Sequence, residues 1–202
     1  VTRLRFPDSR TFPKKRKWPR TLGALLLLAM MLAAVWSYDP RENIAAGNAP
    51  VRAIDGDSFT IGANELRLEG VDAPEYRQKC KDSMGRDWEC GKAARAALEK
   101  RLFEPGLTCS AQAKDRYSRA LAKCSTARTP DIAAAQVRDG MAVSHEFYGV
   151  RDYPDEEDAA RAERKGIWIG SFERPEDWRA LQRAGSANQA QATFRTNTVP
   201  AE

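Results

Sequence analysis

The sequence predicts an α+β domain, and two patterns carry that expectation. Short runs rich in β-branched and alternating apolar residues, bounded by Gly, Pro, Asn and Asp, read as five strands at about 51–55, 57–62, 65–71, 107–113 and 119–125. Three longer stretches with apolar residues at helical spacing read as helices at 92–103, 130–139 and 155–165. A third observation separates this domain from what precedes it: a basic segment, 1–20, then an apolar run within 21–37, then a Pro- and Gly-containing linker, 38–50. The domain itself is assigned to 51–184, and 185–202, rich in Ala, Ser, Asn, Gln and Thr, is expected to be a disordered tail.

Each element has a local cause. Asp55-Gly56-Asp57 makes a turn between the first two strands, and Gly62-Ala63-Asn64 joins the second to the third. In the third strand Leu66 and Leu68 fall on one face and Arg67 on the other. The strand closes in a short acidic loop, Asp72-Ala73-Pro74-Glu75, where Pro74 restricts itself and Ala73 and so holds Asp72 and Glu75 at a fixed offset. The helix at 92–103 places Ala94, Leu98 and Leu102 on one face and is stopped by Pro105-Gly106. Pro130-Asp131 opens the next helix and Gly140 ends it. The third carries acids in its first turn and Arg164 and Lys165 in its last, which complements the helix dipole. A short further helix, 175–184, has Trp178 and Leu181 as its apolar residues.

The formal net charge of +5 invites a nucleic-acid reading, but its distribution does not support a basic field over the domain. Residues 1–50 hold nine Lys or Arg against three acids, whereas 51–184 holds 23 basic and 24 acidic residues. Affinity for nucleic acid must therefore come from a local site. The basic segment followed by the apolar run 22–36 reads as a signal anchor or a signal peptide. The anchor is favoured because no small-x-small cleavage site follows directly and the basic segment is long. Either form keeps 1–20 cytoplasmic and exports the rest to the periplasm or the extracellular space, with the membrane as the partner of the N-terminal segment.

Four cysteines, Cys80, Cys90, Cys109 and Cys124, fit an exported domain, and with no C-x-x-C pair and a single His, His145, a zinc site is not expected. Of three possible pairings, one follows from a hairpin: if 115–118 is a four-residue loop, Lys114 faces Arg119 and Cys109 faces Cys124. Cys80 and Cys90 then pair by exclusion.

Asp55-Gly56-Asp57-Ser58, followed by Leu66-Arg67-Leu68-Glu69-Gly70-Val71-Asp72-Ala73-Pro74-Glu75, resembles the core signature of the staphylococcal-nuclease-like (thermonuclease) family. The resemblance continues, in family order, through Asp115-Arg116-Tyr117-Ser118-Arg119, Leu121-Ala122, Val137-Arg138-Asp139-Gly140-Met141-Ala142 and Lys165-Gly166-Ile167-Trp168. Several separated motifs in order form a specific signal, where one alone is weak. The resemblance implies a five-stranded OB-type β-barrel with three helices, a fold whose groove commonly binds oligonucleotides. It implies a calcium-dependent nuclease with little sequence selectivity, acting on single-stranded DNA and RNA and cleaving at the 5′ side of the phosphate. Asp57, Asp72 and the backbone carbonyl of Ala73 would hold Ca2+, an ion that favours oxygen ligands. Glu75 would be the general base, and Arg67 and Arg119 would clamp the phosphate with their fixed forks. Arg116 and Tyr117 would lie near the terminal phosphate and nucleotide pocket, and Tyr148 would stack on a base.

Two residues depart from the family pattern: Ser118 stands where Gly is usual, and Glu146 where a pocket tyrosine is found. The alternative is a binding module of the same fold, for nucleic acid or protein, that lacks strong catalysis. No protein partner is implied by the sequence.

Overall fold

A computed structural model of the chain describes residues 20–37, 42–115 and 117–196. In chain order the elements are α1 (Arg20–Ser37), β1 (Glu42–Ala45), β2 (Val51–Ala53), β3 (Ser58–Ile61), β4 (Asn64–Leu68), β5 (Val71–Asp72), β6 (Cys80–Lys81), β7 (Asp87–Trp88) and α2 (Cys90–Leu102). They continue with β8 (Thr108–Lys114), β9 (Ala120–Ser125), α3 (Ile132–Arg138), β10 (Val143–Ser144), β11 (Glu146–Phe147), β12 (Val150–Arg151), α4 (Pro154–Ala162), a 3-10 turn (Gly166–Ile169) and α5 (Pro175–Thr196).

The chain divides into two compact units, 1–40 and 41–202. The first contributes α1, whose leucines and methionines from Leu25 to Leu32 are exposed. No helix among the described residues is long and apolar enough to cross a membrane.

The second unit is α+β, as the sequence predicts. Its main sheet has six strands in the order β1-β8-β9-β4-β3-β2, curled into a half-barrel, where five were expected. The added strand, β1, comes from the stretch read as linker: Glu42–Ala45 pairs antiparallel along the free edge of β8, with Ile44 opposite Cys109. All neighbours are antiparallel except β4 and β9, where Leu66, Arg67 and Leu68 run alongside Ala120, Leu121 and Ala122. That parallel pairing brings Arg67 and the start of β9 to the same end of the sheet.

The strand alternation holds: Leu66 and Leu68 are buried and Arg67 is half-buried. The core joins Phe59, Leu66 and Leu68 of the sheet to Ala94, Leu98 and Leu102 of α2 and to Ile132 and Val137 of α3. Each fully buried Leu or Phe there stabilises the fold by about 1.5–3 kcal/mol, more than any surface ion pair of the domain. Asp131 caps α3 through a side-chain bond from the Ala134 amide at 3.0 Å. A smaller cluster packs Val143 and Ile167 against the Cys80–Cys90 disulfide, with Trp88, Trp168 and Phe172 around it.

Both expected disulfides form, Cys80–Cys90 and Cys109–Cys124. The hairpin that carries the second differs from the expected four-residue loop. Asp115 bonds Arg119 across the turn and Lys114 faces Ala120, so the loop is one residue longer than four. A bulge between Ala111 and Ala113 restores the register, leaving Cys109 opposite Cys124. The tail differs from expectation as well. α5 runs on from the expected short helix to Thr196, because Ala, Gln and Arg are good helix formers and no proline interrupts them.

Candidate active site

The turn between β2 and β3 is built by Asp55, whose Oδ1 accepts from the amides of Asp57 (3.0 Å) and Ser58 (2.7 Å). Gly56 is required by crowding: a Cβ there would lie 2.6 Å from the Cβ atoms of both Ala73 and Ala94. The Gly56 carbonyl accepts from Nε2 of Gln136, a fully buried α3 side chain, at 2.7 Å. The turn is thereby wedged between the acidic loop and α2 and tied to α3.

Asp57 follows at 1% exposure. Its Oδ1 accepts from Ser58 Oγ (2.8 Å) and Arg67 Nη1 (2.6 Å), and its Oδ2 accepts from the Ala73 amide (2.8 Å). Burial pushes this carboxyl well above the ordinary carboxylate range, with Arg67 pulling the other way. Burial also works against the charge on Arg67, but Asp57 and Asp72 more than reverse it and hold the guanidinium protonated. Arg67 bridges the two aspartates, its Nη2 donating to Asp72 Oδ1 at 2.7 Å.

Glu75 sits at the end of the acidic loop. Its amide donates to Gln78 Oε1 (3.2 Å), and the Gln78 amide returns a bond to the Glu75 carbonyl (2.7 Å). Gly91, in the first turn of α2, runs directly beneath: a Cβ would fall 1.8 Å from the Glu75 carbonyl oxygen. Gln78 is fully buried, and its Nε2 donates to the Glu173 carbonyl just before α5 (2.7 Å). From α5, Arg179 reaches both oxygens of Asp72 (2.9 Å each) and Glu75 Oε1 (3.0 Å). Burial opposes the charge of Arg179, and its bonds to Asp72 and Glu75 raise its pKa nonetheless.

Arg119 enters from the turn just before β9. Its Nε donates to Asp115 Oδ2 (2.7 Å) and its Nη1 to Ser58 Oγ (3.3 Å). Its guanidinium carbon stands 5.3 Å from the centre of the Tyr117 ring. Ser118, in the place of the usual glycine, takes a positive φ of 68°, so the turn keeps a left-handed shape that serine adopts with strain.

These elements enclose a groove of about 850 Å³ lined by Arg67, Asp72, Glu75, Tyr117, Arg119, Arg179 and Arg183 among others. The sequence-predicted residues Arg67, Asp72, Glu75, Tyr117 and Arg119 are thus brought together, with Asp57 buried behind them. Tyr148 is not: it is 92% exposed on the β11–β12 hairpin, packed edge-on against Phe147 at 4.4 Å, and does not line the groove. Glu146, on the same hairpin, is also absent from the lining. Arg116 lies outside the described residues. The described lining residues of the groove include eight carboxylates and four arginines.

Among the described residues no three of His, Cys, Asp and Glu are grouped to hold a metal ion. The donor chemistry nonetheless suits Ca2+. Asp57 and Asp72 offer hard carboxylate oxygen, and Asp72 already meets a cation, the Arg179 guanidinium.

A family model described as staphylococcal nuclease homologue matches residues 65–170. The chain belongs to that family. Over 150 residues, 74% of this chain and 75% of the relative, it is 33% identical to the succinoglycan biosynthesis protein ExoI of Rhizobium meliloti (strain 1021). In this staphylococcal nuclease homologue the family-matched segment supplies Arg67, Asp72, Glu75 and Arg119, while Asp57 and Arg179 come from either side of it. Family membership supports a hydrolase of phosphodiester bonds at family level.

Sequence reasoning missed three residues of this site. Gln78 and Gln136 are buried amides that carry no local signature of a role in the site. Arg179 is one of many arginines, and only its spacing of four from Arg183 on α5 hinted at a shared helix face.

Proposed function

We propose that this domain is an exported, calcium-dependent phosphodiesterase that hydrolyses single-stranded DNA and RNA with little sequence selectivity. The observation that carries the reading is the convergence of Arg67, Arg119, Asp72 and Glu75 on one groove, with Asp57 directly behind. Ca2+ would be held by Asp57, Asp72 and the Ala73 carbonyl, and would supply positive charge beside the phosphate. Arg67 and Arg119 bind the non-bridging oxygens of the phosphate, where charge accumulates in the transition state. Glu75 takes the proton of the attacking water. As the water oxygen bonds to phosphorus, the bond to the 5′ oxygen breaks, leaving a 3′-phosphate on one fragment and a 5′-hydroxyl on the other. Tyr117 packs along the nucleotide.

Two disulfides favour an oxidising compartment. Export through the basic-then-apolar N-terminal segment, acting as a signal sequence, is consistent with them. One observation favours a second reading, a catalytically weak nucleic-acid- or protein-binding module of the same fold: the relative is named a biosynthesis protein, not a nuclease. Incubating the full chain with single-stranded DNA and RNA, with calcium or with chelator, separates the two. Calcium-dependent cleavage is expected, and binding without cleavage at any calcium concentration would favour the module.

A further inference from the structure

Arg179 bridges Asp72 and Glu75, and the fold holds it there. The Gln78 side chain ties the Glu75 amide to the Glu173 carbonyl, so the loop bearing the carboxylates and the start of α5 are fixed to each other. Lys81, on the disulfide-stapled hairpin, adds a backbone bond to the Ser171 carbonyl at 2.8 Å. From that anchored start Arg179 projects its fork onto both oxygens of Asp72 and one of Glu75, with its own side chain 29% exposed. Beyond it, residues 180–186 of α5 are exposed, so this contact is where the body of the helix meets the site.

Both Asp72 oxygens already accept from a guanidinium, and a divalent ion cannot share the same lone pairs at coordination distance with a second full positive charge beside it. We propose that Arg179 is an internal competitor for the cation site: calcium binding at Asp72 requires Arg179, and with it α5 beyond its first turn, to leave. The inference rests on the calcium reading above and adds that metal affinity is set by the docking of α5. A bidentate, partly buried pairing keeps the undocked state a minor one, and apparent affinity is reduced by the fraction of competent molecules.

The test is calcium titration of the full chain by calorimetry without substrate, with Arg179→Ala, Arg179→Lys and Arg183→Ala beside the unmutated protein. Arg179→Ala is expected to bind calcium about 10–100-fold more tightly, and Arg179→Lys by a smaller factor, since it keeps charge but loses the fork. Arg183→Ala, which removes the same charge from the same groove, should change affinity by less than about threefold. Hydrogen exchange on the unmutated protein should show α5 amides beyond Arg179 losing protection as calcium is added. Equal or weaker calcium binding by Arg179→Ala, or unchanged α5 exchange at saturating calcium, would overturn the competition while leaving calcium dependence intact. Absence of calcium binding in every variant would overturn both.

Discussion

Replacing Gln136 with leucine keeps most of the side-chain volume and removes only its polarity, so it isolates what this buried amide does for the site. Three bonds are lost: from Nε2 to the Gly56 carbonyl (2.7 Å) and to the Ala94 carbonyl (3.2 Å), and from Arg101 Nη1 to Oε1 (2.7 Å). The Ala94 carbonyl lies inside α2 and Arg101 keeps its ion pair with Asp139, so neither is left stranded. The Gly56 carbonyl has no such alternative, and an unpaired buried carbonyl costs about 1–3 kcal/mol. Adding the weaker losses gives a destabilisation of about 2–4 kcal/mol, which lowers the melting temperature by roughly 5–15 °C for a unit of this size. Because Gly56 is the centre of the turn that carries Asp57, kcat should fall about tenfold or more. Urea unfolding of the unmutated and Gln136→Leu proteins, with cleavage rates measured well below both melting temperatures, checks this. A loss under about 0.5 kcal/mol with unchanged kcat would refute the claim that Gln136 braces the turn.

Three further predictions follow from single observations. Ser118→Gly relieves the positive φ and is expected to stabilise the domain by up to about 1 kcal/mol, read by thermal unfolding, although the more flexible unfolded chain takes back part of the gain. Removing the Cys109–Cys124 bridge by double serine substitution should cost about 2–4 kcal/mol in urea unfolding, because it opens a loop of 15-residue separation, while leaving the groove intact. Hydrogen bonds from Thr126 and Thr129 hold the Glu104 carboxyl below its ordinary value of 4.5. The unfolded chain therefore binds more protons in that range, and the contribution of this group is present above about pH 4.5 and lost as pH falls through the lower folded value. Thr126→Val with Thr129→Val should flatten that acid-side decline in a pH series of unfolding curves.

Much of the site was legible in the sequence because it is local. The turn at Asp55, the alternation around Arg67 and the proline-fixed offset of Asp72 and Glu75 are properties of neighbouring residues, and the sheet only aims them. The pairing of Cys109 with Cys124 was reached through a loop one residue too short, and the bulge after Ala111 supplied the compensating residue. What could not be read was long-range. Arg179 lies 107 residues from Asp72, and no periodicity connects a helix arginine to a loop aspartate. The strand at Glu42–Ala45 forms because β8 offers an open edge, which nothing within 38–50 announces. Tyr148 carried its expected role through motif position alone, and its hairpin leaves it clear of the groove lining.

The central claim is that Glu75 and Arg67 carry phosphodiester hydrolysis in this groove. Single-turnover cleavage of a short single-stranded DNA at saturating calcium, comparing the unmutated chain with Glu75→Gln and Arg67→Lys, tests it most directly. The account predicts a loss of about 10²–10⁴-fold for Glu75→Gln that added calcium does not restore, and a fall in rate for Arg67→Lys that exceeds its loss of substrate affinity. Near-unmutated rates for both variants would contradict it.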